Sequence, residues 1–353
     1  MEKNRTPLLK KIFFTPLSWA WSFIYFSRRI CYDYGIFKQR SFQVPIISVG
    51  NLTFGGTGKT PFTLWLSDYL YKTQNKKVMI LTRGYKGRLE NSSGLLHSGK
   101  KINPDAADYG DEALLFARRL KNATIVVGKK RSENLSFYFP KVEPDVVILE
   151  DGHQHIKIKR KLNIVLFDAL MPLSRYKVAP LGYMREGFQA LKDADLVVIG
   201  RADLATPSKI SELKDLLFPH LPVGIHIAEI AFRPNGFYNS AFDLVYSLEQ
   251  IRNRKVICVA GVANPKSFYK LLEDLGAEIL VTESFPDHYF FKVDEINALL
   301  SYAKSEDALI VTTEKDIVRI KKIVNDESIV FLEVDIYFLS GEKETKNIID
   351  SCF

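Results

Sequence analysis

Apolar positions along the chain fall into short uninterrupted runs separated by longer stretches of helical periodicity. Residues 46–49 read as a short apolar strand, and residues from Pro61 through Leu70 as an apolar-periodic helix. Residues 146–149, inside PDVVILEDGHQH, read as a strand buried on both faces, the pattern of a parallel sheet. A second alternation begins later: strand 256–260, helix 265–275, strand 278–282, helix 293–304 and strand 308–312. Between the two regions, 224–242 is β-rich. There Pro234-Asn235-Gly236 reads as a turn between two strand-like runs, which predicts a linking ribbon. No internal repeat or low-complexity tract interrupts this order.

The N-terminal segment follows a different pattern. Residues 12–26 are almost free of charge, are interrupted by Pro16, and are bracketed by Lys10/Lys11 and Arg28/Arg29. Fifteen residues of helix rise about 22 Å, short of the roughly 30 Å of a hydrocarbon core, so a transmembrane span is disfavoured. Ala20 and Ser22 imitate a signal-peptide cleavage site, but the chain after it would open on FIYFSRRICYDY, with a phosphate-loop motif soon behind. A core helix and an interfacial helix remain. The interfacial reading is preferred, with Trp, Phe and Tyr at headgroup depth and Lys/Arg facing anionic lipid.

Charge sharpens that preference. The 353 residues are 46% hydrophobic and 25% charged, which fits a globular protein and excludes collagen-like and disordered classes. Cys31, Cys258 and Cys352 show no CxxC spacing, so neither a zinc site nor a disulfide framework is indicated. Of the net charge of +8, six units lie in the first forty residues, where eight basic side chains face two acidic ones and ten aromatics share the segment. A generally basic surface for nucleic acid is therefore not expected.

The chemistry centres on GNLTFGGTGKT, which follows the first strand and precedes its helix. In such a loop, backbone N–H groups close around phosphate oxygens, Lys59 places a cation on the β/γ-phosphates, and the Thr60 hydroxyl is a Mg²⁺ ligand. The general pattern GxxxxGK(S/T) asks for glycine where this chain has Thr53; Gly55 and Gly56 supply the backbone freedom instead. A second element, Glu150-Asp151, ends strand 146–149, where open α/β sheets place ligands and where a carboxylate can hold Mg²⁺. Adjacent acids on a strand point to opposite faces unless the chain turns at once, as Gly152 permits.

Phosphate loops serve ATPases, GTPases and kinases alike, so the acceptor side must discriminate. TTEKD (312–316) resembles a guanine-reading N/T-K-x-D, but Lys315 lies one residue before Asp316 rather than two, and the register fails. A kinase acting on an alcohol needs a carboxylate or histidine near the acceptor hydroxyl. Asp111, opening a helix in YGDEALLFARR, and His288, in FPDHYFF, are the candidates.

Taken together, the motifs closely resemble the tetraacyldisaccharide 4′-kinases, the lipid A kinases of Gram-negative bacteria. The resemblance runs from the N-terminal apolar segment almost to the C-terminus. It is carried by VGNLTFGGTGKTP, LTRGYKG, YGDEALLFARR, VGKKRSEN, EDGHQH, PLGYMREG, LKDADLVVIGR, VAGVANPKSFY, FPDHYFF and VTTEKDIVR. It implies an α/β fold. A P-loop NTPase-type parallel sheet domain (38–223) would be joined by a β-ribbon linker (224–245) to a smaller C-terminal α/β domain (246–353), behind an N-terminal membrane-associating helix (1–37). It also implies ATP and Mg²⁺ as cofactors. The activity would be phosphorylation of the 4′-hydroxyl of an acylated glucosamine disaccharide 1-phosphate, a lipid A precursor, at the cytoplasmic face of the bacterial inner membrane.

Residue by residue, the resemblance assigns Lys59, Asp111 and His288 to catalysis, the last two as the pair that activates the sugar hydroxyl. It assigns Thr53, Phe54, Gly55, Gly56, Thr57, Gly58, Lys59, Thr60, Tyr85, Arg131, Arg185 and Glu186 to ATP, and Thr60, Glu150 and Asp151 to the metal. The anionic membrane surface is the expected partner besides the lipid, and no protein partner is indicated. Two departures stand out. Glu150 replaces the family's first aspartate, keeping the charge while extending the reach by one methylene, and His153 replaces a phenylalanine and is read as structural. If His288 and Asp111 lie in different lobes, the pair forms only when the lobes meet. The competing reading is a membrane-docked regulatory or transport-coupled P-loop NTPase, which has no need of Asp111 and His288. A third is a membrane-surface scaffold with a degenerate nucleotide site, against which intact Lys59 and Thr60 speak.

Overall fold

The computed structural model describes residues 8–99, 105–262 and 264–353, with side chains from residue 12 onward. Lys3 and Arg5, and the side chains of Lys10 and Lys11, lie outside the described residues. The chain opens with α1 (Leu8–Asp33), then β1 (Ile46–Asn51), α2 (Lys59–Gln74), β2 (Val78–Thr82) and β3 (Gly94–His97). Next come α3 (Ala106–Tyr109), α4 (Asp111–Arg119), β4 (Ala123–Val127), α5 (Arg131–Val142), β5 (Val146–Glu150), β6 (Leu162–Asp168) and β7 (Leu196–Gly200). The second half carries α6 (Pro207–Leu217), β8 (His226–Tyr238), β9 (Leu244–Tyr246), β10 (Lys255–Ala260), α7 (Pro265–Asp274), β11 (Glu278–Ser284) and α8 (Val293–Ser305). It closes with β12 (Leu309–Thr313), α9 (Glu314–Ile323), β13 (Ile329–Ser340) and α10 (Glu342–Asp350).

The strands form one continuous sheet in the order β11-β10-β12-β13-β8-β7-β6-β1-β5-β2-β4-β3, with β9 added beside β8. Every residue of β1, β2, β5, β6 and β7 is buried, which is why these segments read as unbroken apolar runs: helices cover both faces. β1 pairs in parallel with β5 on one side and β6 on the other, so the loops after all three open at the same edge. The second parallel group, β10 with β11 and β12, is coupled to the first through the antiparallel pair β8 and β13.

The Pro234-Asn235-Gly236 signal resolves differently from the expectation. It is no turn but a bulge within β8: Pro234 pairs with Val334 and Gly236 with Glu333, leaving Asn235 as the extra residue. The Asn235 side chain donates instead to Glu333 Oε1 at 2.8 Å. Proline is tolerated here because a bulge has no ladder hydrogen bond to lose.

Helix α1 runs unbroken through Pro16 for 26 residues, longer than the apolar run that predicted it. It is a surface helix, which sets aside the core-helix reading: Phe13, Trp19 and Phe23 are 77%, 71% and 68% exposed, and Ile12, Leu17 and Ile24 are exposed as well. No helix among the described residues is long and apolar enough to cross a membrane. Its opposite face docks through polar contacts. Ser18 donates to the Val178 carbonyl at 2.9 Å, and Arg28 to the Gln154 carbonyl at 3.0 Å. Arg29 was expected to face lipid; it is instead buried, with Nε 2.7 Å from Glu186 Oε2 and a second contact to Asp193.

Candidate active site

The phosphate loop is built by what precedes and follows it. Buried β1 delivers the chain to residues 52–58, and α2 begins at Lys59 with Gly58 as its left-handed cap at φ 89°. A Cβ there would lie 2.5 Å from Phe232 Cζ, so glycine is required on two counts. At Gly55 and Gly56 a Cβ would meet nothing within 4 Å, so the loop's backbone faces open space. The departure at Thr53 also has an explanation. Thr53 is buried and bridges to Met184, while Phe54 N–H donates to the Tyr183 carbonyl at 2.7 Å. That strand-like pairing to 183–185 holds the loop's start in an extended form that a β-branched residue suits.

At the end of β5 the two acids both reach the cavity. Asp151 sits at φ 50°, a left-handed turn that breaks the strand alternation immediately, so Glu150 and Asp151 line the same space. Lys59 Nζ lies 3.5 Å from Asp151 Oδ1, and Arg185 Nη1 lies 2.7 and 2.9 Å from its two carboxylate oxygens. Arg131 donates to the Asp151 carbonyl at 2.8 Å. Burial alone would raise the Asp151 carboxyl, but Lys59, Arg185 and Arg131 hold it well below the usual range. Glu150 accepts from the Thr82 hydroxyl at 3.0 Å, and burial, with Asp151 and Glu112 nearby, pushes its carboxyl up.

Opposite this cluster, the second half of the chain meets α4. His288, between β11 and α8, adopts φ 60° and places Nδ1 2.9 Å from Asp111 Oδ2. The Tyr85 ring packs edge-on against the imidazole at 5.1 Å. From α9, Arg319 Nε donates to Asp111 Oδ1 at 2.8 Å and its Nη2 to Oδ2, while Lys315 Nζ donates to Glu112 at 2.7 Å. Asp111, Glu112 and His288 bring ligand atoms within 4.8 Å of one another, close enough for a metal. Arg319 and Lys315 already neutralise those acids, so the cluster offers a cation little uncompensated negative charge. Sequence reasoning passed over Arg319 and met Lys315 only within TTEKD, to which it assigned no mechanism; the one local signal is the i, i+4 spacing that puts both on one face of a helix.

One cavity of about 1050 Å³ takes in the phosphate loop, the acids after β5 and, from the second group, His288, Glu112 and Lys315, while Asp111 and Arg319 are buried behind its wall. Phe54 to Thr60, Tyr85, Arg131, Glu150, Asp151, Arg185 and His288 line it. Two expected nucleotide contacts do not. Thr53 is buried behind the loop, and Glu186 turns its carboxylate away to Arg29, 2.7 Å distant. The cavity's chemistry fits a phosphorylated ligand with a divalent cation. It offers backbone open over two glycines, the Lys59 ammonium, a Thr57 hydroxyl buried without a protein partner, and paired acids beside Thr60.

Comparison with known proteins gives a consistent result. The family model described as tetraacyldisaccharide-1-P 4′-kinase matches residues 10–353. The tetraacyldisaccharide 4′-kinase of Halothermothrix orenii is 30% identical over 339 residues, covering 92% of this chain and 86% of that protein. That of Syntrophobacter fumaroxidans is 35% identical over 345 residues, covering 96% and 86%. The crystal structure of LpxK from Aquifex aeolicus in complex with ATP is similar at a TM-score of 0.77 and 28% identity, covering 96% of this chain and 98% of that one.

Proposed function

We infer that this chain, which belongs to the tetraacyldisaccharide 4′-kinase family, transfers a phosphoryl group to the 4′-hydroxyl of an acylated glucosamine disaccharide 1-phosphate, a lipid A precursor. It is a kinase that uses ATP and Mg²⁺. The observation that carries the acceptor assignment is that His288 lines the same cavity as the phosphate loop and is held 2.9 Å from Asp111, which is buried behind it. Transfer to an alcohol needs a group to take the hydroxyl proton, and this pair supplies one.

In this reading the N–H groups of residues 55–60 and the ammonium of Lys59 bind the phosphates, and Arg131 and Arg185 add positive charge beside them. Thr60 and Asp151 are the metal-holding groups, with Glu150 next to them. When bound, Mg-ATP supplies the transferable phosphoryl group. Asp111 and His288 orient the acceptor hydroxyl and remove its proton, and the cavity walls from both halves of the chain exclude water. We read 38–223 and 246–353 as two lobes joined by the 224–245 linker and closing over the substrates.

The exposed aromatic face of α1 supports a peripheral seat on an anionic membrane surface, the cytoplasmic face of the inner membrane, where the lipid acceptor is held. The test is replacement of the pair. Asp111→Asn and His288→Ala are each expected to lower phosphate transfer to the lipid by about 100-fold or more while leaving ATP affinity within about twofold. Full kinase activity in His288→Ala contradicts the reading.

A further inference from the structure

One charged side chain of α1 points away from the exposed aromatic face and into the body of the fold. Arg29 is buried, with Nε 2.7 Å from Glu186 Oε2 and Nη2 3.0 Å from Oε1, a fork closed on one carboxylate. Nη1 meets Asp193, and Nη2 also lies 3.3 Å from Nε2 of His153, a ring with no exposed surface. A guanidinium only donates, so Nε2 is the accepting nitrogen of that imidazole. Its Nδ1 faces the side-chain amide of Asn163, which in turn donates to the Asp193 carbonyl at 2.7 Å. Arg29 therefore ties three separate segments, at 153, 186 and 193, to one helix.

Two of those segments carry nucleotide-site groups one or two residues away. Arg185 precedes Glu186; its N–H donates to the Leu52 carbonyl at 2.7 Å, at the start of the phosphate loop. With that N–H committed and the Glu186 carboxylate gripped by Arg29, the backbone is fixed on both sides of Arg185. Its side chain leaves the segment toward Asp151, 2.7 Å away, and toward Gln154 Oε1 at 3.3 Å. His153 fixes the other partner. A Cβ at Gly50 would lie 2.5 Å from the His153 backbone nitrogen, so the turn that carries Asp151 is pressed directly onto β1. Gln154 donates to the Asn51 carbonyl at 2.8 Å and closes the same turn. Asp151, Gln154 and Arg185 line the cavity, while Arg29, His153 and Glu186 are buried behind it.

We propose, resting on the reading above of Arg185 and Asp151 as nucleotide-site groups, that Arg29 is a positioning residue for Mg-ATP. From α1 it holds Glu186 and His153, and through them the Arg185–Asp151 pair, in the arrangement that receives the nucleotide. Charge-assisted bonds in a fork fix orientation as well as distance, and burial keeps water from replacing them. Helix α1 thus has a second task, separate from its aromatic face: its seating sets the affinity of a site it does not itself complete.

Arg29→Lys keeps the charge and loses the fork, so it cannot hold Glu186, Asp193 and His153 at once. Mg-ATP affinity is measured by calorimetry on the full chain carrying Arg29→Lys, Arg185→Ala or both. Arg29→Lys is expected to weaken binding by about threefold to tenfold in the wild-type background. Beside Arg185→Ala the same change is expected to cost less than about 1.5-fold, because it acts through that side chain. A loss of equal size in both backgrounds marks a general structural effect and overturns the proposal. If thermal melting shows Arg29→Lys unfolded, His153→Phe decides, since its ring is of similar size but has no accepting nitrogen. Binding weakened by about twofold or more there, and unchanged beside Arg185→Ala, upholds the proposal, and wild-type affinity overturns it. Weakened binding in Arg185→Ala with wild-type affinity in a folded Arg29→Lys defeats this inference alone. Wild-type affinity in Arg185→Ala defeats the reading of the nucleotide site beneath it as well.

Discussion

Trp21 on α1 donates its indole N–H to the backbone carbonyl of Arg185 at 2.8 Å, and the guanidinium of that same Arg185 lies 2.7 Å from Asp151. The surface helix is thus connected to the proposed metal acid through a single residue. Trp21→Phe keeps the ring and removes the donor. A lost hydrogen bond of about 1 kcal/mol predicts a KM for Mg-ATP raised by about twofold to fivefold, with faster proteolysis of α1. Unchanged values of both disconnect the helix from the site.

The exposed face of α1 is predicted to act separately. Replacing Phe13, Trp19 and Phe23 together with serine removes the three most exposed large residues described in the helix. Retention on anionic vesicles in a flotation assay is expected to fall by about tenfold or more while ATP binding stays unchanged. Arg29 does not contribute to that retention in this account, because Glu186 and Asp193 already neutralise it.

Gly58→Ala tests the phosphate loop's geometry. The left-handed φ of 89° strains any L side chain there, and with Phe232 Cζ 2.5 Å from the new methyl either the loop or that ring must shift. ATP affinity, read by calorimetry, is predicted to drop by about tenfold or more. Gly56→Ala meets no protein atom within 4 Å, so its melting temperature is expected to match wild type.

A pH dependence of stability follows from the junction of α4, α9 and β13. Arg119 faces Glu314 at 2.6 Å, Glu333 at 3.3 Å and Asp335, one cation among three acids. Burial, with Glu333 and Asp335 nearby and against the pull of Arg119, pushes the Glu314 carboxyl from 4.5 up to about 7. The folded state therefore binds this proton more tightly than the unfolded chain, so the contribution is full below about pH 4.5 and is lost as pH rises through about 7. Denaturant titrations are predicted to show wild-type stability falling by on the order of 2 kcal/mol more than that of Glu314→Gln across that window. Parallel curves contradict the assignment.

How far the sequence disclosed this arrangement depends on how local each signal is. The phosphate loop and the acids after β5 were legible because strand, glycines, lysine and helix follow one another within a few dozen residues. Asp111 and His288 were legible as candidates, though only the fold sets them 2.9 Å apart. Glu186 faces away from the cavity for a simple reason. In an extended segment neighbours face opposite ways, so Arg185 turns to Asp151 while Glu186 turns to Arg29. Arg319 lies 208 residues from Asp111 and 31 from His288, and no local pattern encodes that meeting. The Pro234-Asn235-Gly236 bulge misled because the residues that favour a turn also relieve a strand, and only the partner strand decides between them.

Phosphate transfer to the lipid is read by incubating the full chain with ATP, Mg²⁺ and acylated disaccharide 1-phosphate in detergent and following the lipid by mass spectrometry. One added phosphate on the lipid is expected, formed in step with ADP and lost in His288→Ala. ADP released by the wild-type protein with no phosphate gained by the lipid contradicts it.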